Sequence, residues 1–584
     1  MSNKFSPLLK KWELPGEKKI SIAIESISLT EKLVGVFLIT LLSISSLALL
    51  LKAKRALMVP VPASGGTLTE GIVGSPRFAN PVLALTGANA DRDIVSLVYS
   101  GLLKATPAGD LIPDLAESWE ISEDGLRFTF TLKDDLYFHD GTPITAEDIE
   151  FTISKIQDPT LRSPRRANWE GVRVEISDPK TMSFVLNQPY AMFPDNATLG
   201  ILPKHLWSNL SPDQFSFSVL NIEPIGSGPY KIKSLKKDSS GLPTSYHLVA
   251  FKNYALGEPF IKNLVLRFYS NEAELIDDFE KGTIESMGAI SPEEAGYLKD
   301  RGRQIKTSVL PRIFGVFFNQ NEASLFTQKE VRSALNESLD KNRLVSEILF
   351  GFGQPAESPI PISHKPHANS HTDKNSDKTE RAISILENSG WKLPEEGDIR
   401  RKETRENNFD LSFSISTGNL PDLIATASIL KEEWEKVGAS VDIKVFEANS
   451  DLSQNVIRPR KYDALLFGIN VGRDMDLFPF WHSSQRNDPG FNIALYANIT
   501  TDKILEEIRT IQEKDRRLEK YEQFEKEVLE DQPAIFLYSP EFIYAVPDKL
   551  KNVNLGLISQ TSDRFLDIHS WFIETNKVWK IFAK

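Results

Sequence analysis

The chain has 584 residues, a quarter of them charged, with a formal net charge of −12 and no cysteine. The charge balance is modest for this length and argues against a nucleic-acid partner, which would call for a basic face. Without cysteine, disulfides, cysteine–metal sites and a thioether-linked lipid anchor are all excluded.

The first element is the uncharged run Leu33–Leu51, whose most polar residues are Thr40, Ser43, Ser45 and Ser46. A helix rises about 1.5 Å per residue, so about 19 residues cover roughly 28 Å, close to a hydrocarbon thickness of about 30 Å. Lys4, Lys10, Lys11, Lys18, Lys19 and Lys32 precede the run; Lys52, Lys54 and Arg55 follow it. Basic residues near a span are held in the cytoplasm, which predicts an inside tail (1–32), an anchor (33–51) and an exported body. A cleaved signal peptide is the rival reading. Its apolar core is normally about 7–15 residues and ends at a small-residue site. Here the run is longer, and Lys-Ala-Lys-Arg stands where that site would be. Next, Val59-Pro-Val-Pro-Ala-Ser-Gly-Gly66 reads as a stiff-then-flexible linker, within 52–65.

The body that follows is too long for one hydrophobic core and predicts two or three domains. Strands are expected at Thr67–Ile72, Leu126–Lys133, Thr181–Leu186, Tyr246–Phe251 and Leu264–Phe268. Of these, Leu126–Lys133 alternates apolar and polar throughout, which predicts one buried face. Phe138-His-Asp-Gly-Thr-Pro143 then turns the chain, and Thr145-Ala-Glu-Asp148 is a capping-box pattern opening a helix through Ile149, Phe151 and Ile153. A helix with Val331, Ala334, Leu335 and Leu339 on one face comes next, then the polar loop Ser363–Lys378. Phe409, Leu411, Phe413 and Ile415 alternate along one strand. Leu423, Ala427, Leu430, Trp434 and Val437 line a helix stopped by Gly438, and Val441, Ile443 and Val445 make the next strand. One helical region spans about Asp502–Glu530, and Pro533 ends it before the strand Ala534–Tyr538. Strands alternating with helices predict α/β layers and a partly parallel sheet, which offers ligand sites beside strand ends.

Enzyme motifs fail on context. Gly351-Phe-Gly-Gln-Pro-Ala356 follows a helix and contains a proline, so it reads as a helix-ending loop, not a dinucleotide fingerprint. Ser234-Leu-Lys-Lys237 has no Lys-Thr-Gly partner. His364, His367 and His371 have metal-ligating chemistry, but a polar loop loses much entropy on ordering, so no metal and no cofactor is expected. His139 and His482 read as structural. One stretch stands out: the strand Tyr462–Gly468 runs into Ile469-Asn-Val-Gly-Arg-Asp-Met-Asp476. A strand ending in a glycine-containing loop with two aspartates offers backbone groups to an extended peptide and a carboxylate to its ammonium. The alternative is a solvated loop whose aspartates cap the next turn.

Several longer segments resemble the bacterial extracellular solute-binding proteins of family 5, the oligopeptide, dipeptide and nickel group serving ABC importers. They are Leu111-Ile-Pro-Asp-Leu-Ala-Glu-Ser-Trp119, Ser122-Glu-Asp-Gly125, Phe138-His-Asp-Gly141, Thr145-Ala-Glu-Asp-Ile-Glu-Phe-Thr152, Ile225-Gly-Ser-Gly-Pro-Tyr230, Val331-Arg-Ser-Ala-Leu-Asn336, Ala382–Trp391, Phe480-Trp-His-Ser-Ser-Gln485 and Gln532-Pro-Ala-Ile-Phe-Leu-Tyr538. The resemblance implies an α/β, bilobal type II periplasmic-binding-protein fold with an extra inserted α+β domain, preceded here by one N-terminal transmembrane helix. It places lobe I in 66–110, 224–311 and 532–584, the insertion in 111–223 and lobe II in 312–531. It also implies a ligand sandwiched between a loop at Ser75–Asn80 and the loop Ile469–Asp476. The implied ligand-binding residues are Arg77, Phe78, Asn80, Ile469, Asn470, Val471, Gly472, Asp474 and Asp476.

Departures from the family pattern matter. The usual tryptophan is Ile469, and the nearest family aspartate falls at Gly472, leaving Asp474 or Asp476 as the amine partner, with Asp474 preferred. No residue is identifiable as the anchor of a ligand carboxylate. The expected function is capture of a solute, an oligopeptide in the first instance, and its delivery to importer permeases, without enzymatic activity. A solute-sensing receptor ectodomain and an exported hydrolase are the alternatives.

Overall fold

The computed structural model describes residues 28–84, 88–364, 377–404, 408–447 and 451–580. The tail lysines Lys4, Lys10, Lys11, Lys18 and Lys19, the side chains of Lys54 and Arg55, and His367 and His371 lie outside the described residues. Two compact units divide the chain: Ser64–Ile573 is one, and the residues up to Ala63 with those from Glu574 are the other.

In the smaller unit the apolar run is the helix Leu29–Leu57. Glu31 accepts from the Ser28 amide (2.9 Å) and hydroxyl (2.7 Å), tying down the helix start. Inside it, the Thr40 and Ser43 hydroxyls donate to the Val36 and Ile39 carbonyls, both at 2.8 Å. Every hydroxyl so bonded needs no water, the condition for a polar group at membrane depth. Leu29–Lys52 is long and apolar enough to cross a membrane by length and composition. The expected linker is different in kind. Residues 52–57 continue the helix, and Met58–Ala63 is a strand antiparallel to Glu574–Trp579, with Met58 opposite Trp579 and Ala63 opposite Glu574. Pro60 and Pro62 suit a ribbon strand, whose unpaired edge tolerates missing amides. The residues from Glu574 group with this unit.

The larger unit is built on one twelve-stranded mixed sheet. Its order along the main path is Ser440–Phe446, Ser412–Gly418, Ala464–Asn470, Arg312–Phe318, Ala534–Ala545, Ser286–Gly288, Thr67–Val73, Asn263–Tyr269, Pro243–Ala250 and Tyr230–Lys237. The strand Ala534–Ala545 belongs to both halves. Its first part, Ala534–Tyr538, pairs with Arg312–Phe318, and its last part, Glu541–Ala545, pairs with Ile305–Val309. The Leu310 amide donates to the Pro540 carbonyl at 2.9 Å, so the chain passes between the halves twice at one place. The second passage lies inside this strand, several residues beyond the expected limit at Asp531.

Helices cover both faces. Ser412–Gly418 is buried at every position after its first, because parallel neighbours flank it and layers lie above and below. The expected half-exposed strand through Phe409 is in fact two: Phe409 sits in the separate short strand Asn408–Asp410. Within Ser412–Gly418 buried polar side chains are bonded, the Ser414 hydroxyl to Asp463 Oδ2 (2.7 Å) and the Thr417 hydroxyl to the Leu466 carbonyl (3.1 Å). Helix Pro421–Lys436 buries Leu423, Ala427, Leu430 and Trp434 as expected. It is followed by Gly438 at φ +84°, where an added Cβ would stand 2.7 Å from Arg400 Cγ. The expected single helix near 502–530 is two, Ile499–Thr510 and Lys514–Asp531. Arg517 Nη1 donates to the Ile511 and Gln512 carbonyls, each at 2.8 Å, satisfying acceptors that the break exposes.

A second sheet of four antiparallel strands orders Ala116–Ile121, Arg127–Leu132, Thr181–Val185 and Arg173–Asp178. Phe128, Phe130 and Leu132 are buried and the threonines between them are not, the single buried face that the alternation predicts. Helix Ala146–Gln157 contributes Ile149, Phe151 and Ile153 to the same core, which is continuous with that of Thr67–Val73 and its neighbours.

Candidate functional site

Strand Ala464–Asn470 is paired along its length with Arg312–Phe318, and the Val471 amide donates to the Pro311 carbonyl at 2.9 Å. Ile469 and Val471 are buried in the core beneath. Gly472 then turns the chain at φ +81°, its amide on Asn470 Oδ1 (3.2 Å). The two aspartates that follow part company. Asp476 is held by Arg509, Nη2 to Oδ2 at 2.6 Å and Nε to Oδ1 at 3.1 Å, and also accepts from the Phe478 amide (3.2 Å) and the Tyr190 hydroxyl (3.3 Å). It is a fixed part of the frame. Among the described residues Asp474 has no cationic partner of this kind. Burial, then the charges of Asp195 and Asp476, push its carboxyl up to about 7.

Asp474 lines a half-open cleft of about 270 Å³. Its walls include Arg92, Asp114, Arg165, Asp195, Arg473 and Asp474, which come from distant parts of the chain. Arg473 reaches across to Asp563 (2.7 Å), a carboxylate also bonded by the Ser559 amide (2.8 Å) and hydroxyl (2.6 Å). Both ions of this pair are largely buried, with side-chain exposures of 13% and 3%.

Of the nine expected ligand-binding residues, the structure brings Asp474 alone to this cavity. Asn80 is fully buried, its amide on Asn221 Oδ1 (3.2 Å) and its Oδ1 accepting the Val82 amide (2.8 Å). The Arg77 and Phe78 amides both donate to Asp91 Oδ1, at 2.6 and 2.8 Å, so the first loop spends these groups on the helix Asn89–Val98. Pro81 and Ala84, just downstream, line the cavity instead. Asn470 is exposed.

The residues that sequence reasoning missed are Arg92, Asp114, Arg165, Asp195 and Arg473. Arg473 sat inside the flagged loop. The others carry no local signal, because only the folded chain collects them.

His139, His364 and His482 sit in structural contacts. His139 Nε2 lies 3.1 Å from the Gly228 carbonyl, and the Gly226 amide donates to Nδ1 at 3.4 Å. Burial lowers its titration to about 4. His482 stacks on Phe478 with ring centres 4.0 Å apart. His364 is buried against the Arg473 carbonyl (3.4 Å) and lowered to about 4 by that burial. Among the described residues no group of three or more histidine or acidic side chains is gathered as a metal site would require.

A mixed α/β frame whose chain passes twice between two half-sheets, with a polar cleft between sequence-distant walls, defines a ligand-capturing binding protein. Residues 110–490 match the family model described as bacterial extracellular solute-binding proteins, family 5 (middle region), and the chain belongs to that family. It is 27% identical over 496 residues to the oligopeptide-binding protein AppA of Bacillus subtilis, covering 84% of this chain and 89% of that protein. The crystal structure of that AppA in complex with a nonapeptide superposes with a TM-score of 0.63 at 25% identity, covering 88% of this chain and all of the other. The ABC transporter substrate-binding protein CtaP of Listeria monocytogenes superposes with a TM-score of 0.72 at 25% identity, covering 87% and 99%. The chain is thus an extracytoplasmic solute-binding component that captures a ligand and delivers it to an ABC importer. Its family consists of solute-binding proteins and not of enzymes.

Proposed function

We propose that the captured solute is a short peptide, gripped with its ammonium group on Asp474, by a protein tethered through the helix Leu29–Lys52. In this reading residues 66–110 and 224–309 form lobe I with the strand end and loops after 541. Residues 111–223 form its insertion, 312–538 form lobe II, and the hinge lies at 309–312 and 539–541. Closure needs only that the peptide prefer the closed state, since a ligand shifts a population by its differential affinity. The carrying observation is Asp474: a half-buried carboxylate crowded by other carboxylates, on the wall of the cleft. An ammonium group supplies the charge that this site lacks. The cavity lies at the small end of the usual range for ligand pockets, about 300–1,000 Å³, which favours two or three residues over a long chain. The relative AppA of Bacillus subtilis is an oligopeptide-binding protein, which supports the same class. Of the other expected contacts, Asp476 acts here by holding Arg509.

The test uses full-length protein in detergent and titration calorimetry with tri-alanine. Asp474→Asn is expected to weaken binding by about 1–3 kcal/mol through loss of a charge-assisted bond. Wild-type affinity should fall as pH drops below about 7, by up to about tenfold per unit, because the ammonium binds the ionised carboxylate. The variant should show no such slope. Equal affinity for tri-alanine and its N-acetylated form would sink the assignment.

A further inference from the structure

Arg92 and Arg165 both line the cavity, and among the described residues neither is ion-paired to a carboxylate. Arg92 Nη1 donates to Gln560 Oε1 (2.7 Å) and Nη2 to Asn89 Oδ1 (3.2 Å), both neutral acceptors. Its Nε is buried without an acceptor, as is that of Arg165. The carboxylates that feel the Arg92 charge are Asp93 and Asp563. Asp93 is already held by Arg564 through two bonds, at 2.8 and 2.6 Å, and Asp563 by Arg473 at 2.7 Å. The charge that Arg165 feels is that of Arg92, a like charge. Of the other lining cations, Lys104 is offset by Asp114 and Arg473 lies against Asp563. Two guanidinium groups thus stand together at one cavity with unused donors, an arrangement that two negative charges would complete.

We infer that Arg92 and Arg165 form an anion subsite selecting peptides that carry a second carboxylate, so that short acidic peptides are preferred over neutral ones. A peptide ending in glutamate brings its terminal and side-chain carboxylates together, one for each guanidinium. The planar fork of each arginine suits a carboxylate, and a glutamine side chain of the same shape leaves one cation uncompensated. This inference rests on the peptide reading and specifies its ligand.

The experiment compares Ala-Ala-Glu with the near-isosteric Ala-Ala-Gln on full-length protein in detergent, with glutarate as a dicarboxylate lacking an ammonium group. The expected result is about tenfold or greater preference for Ala-Ala-Glu, shrinking to within about threefold in Arg165→Gln and in Arg92→Gln. Arg165→Lys, which keeps the charge, should retain a clear part of it, and separates loss of charge from misfolding. Equal affinity for the two tripeptides in the wild type overturns the inference, as does a preference that survives both glutamine variants. If neither tripeptide binds, the peptide reading fails. Glutarate binding lost in Arg165→Gln would then still support the anion subsite, and absence of glutarate binding would overturn that too.

Discussion

His139 shows how a single side chain in a family motif can serve packing alone. Its ring bridges the Gly226 amide and the Gly228 carbonyl, so the neutral form with the proton on Nε2 satisfies both contacts. Its folded titration point lies near 4, below the ordinary value for an unfolded chain. The folded state therefore binds fewer protons than the unfolded one. Its contribution is complete above about pH 6.5 and is lost progressively as pH falls toward about 4. We expect His139→Asn to cost about 1–3 kcal/mol in urea denaturation at neutral pH and much less near pH 4. A cost independent of pH would show that shape, not protonation, is what the site needs. The two loop aspartates make the same point for the site: chemically identical and two residues apart, one is neutralised by Arg509 and the other faces the cavity.

The elements were legible where local pattern sufficed. The helix Ala146–Gln157 begins where Thr145-Ala-Glu-Asp148 predicts, since the Asp148 carboxylate accepts the Thr145 amide at 2.9 Å. Its other oxygen accepts the Lys204 amide, also at 2.9 Å, a contact invisible to a four-residue motif. Asp148→Ala should therefore destabilise by about 1–3 kcal/mol, more than an ordinary cap of about 1 kcal/mol, measured by chemical denaturation. A loss no larger than that of a simple cap would mean that the Lys204 contact contributes nothing. Periodicity misled where neighbours decided. Phe409 and Ile415 share a phase but not a strand, and Met58–Ala63 reads as a linker until Glu574–Trp579 supplies its partner.

At the scale of the whole binding unit, the Arg473–Asp563 pair joins the loop after Ala464–Asn470 to the C-terminal turn Thr561–Phe565 across the cavity. Exposed ion pairs contribute little, but this one is shielded, and its aspartate is fixed by Ser559 and Gln560. Arg473→Ala should speed peptide dissociation by about tenfold or more in stopped-flow measurements, with a smaller change in association rate. An unchanged dissociation rate would show that the pair has no part in holding the ligand.

Read alone, the amino-acid order determined the apolar helix, most strands, the two-part α/β plan and the family, because each depends on residues within a few positions of one another or on long shared segments. Only the tertiary structure decided which aspartate is free, which loop amides the helix Asn89–Val98 takes up, and that Arg92 and Arg165 meet with no carboxylate between them. The reason is that charge compensation is set by distance in space. Arg92 finds Gln560, 468 positions away, while Asp474 finds no cation within its own loop.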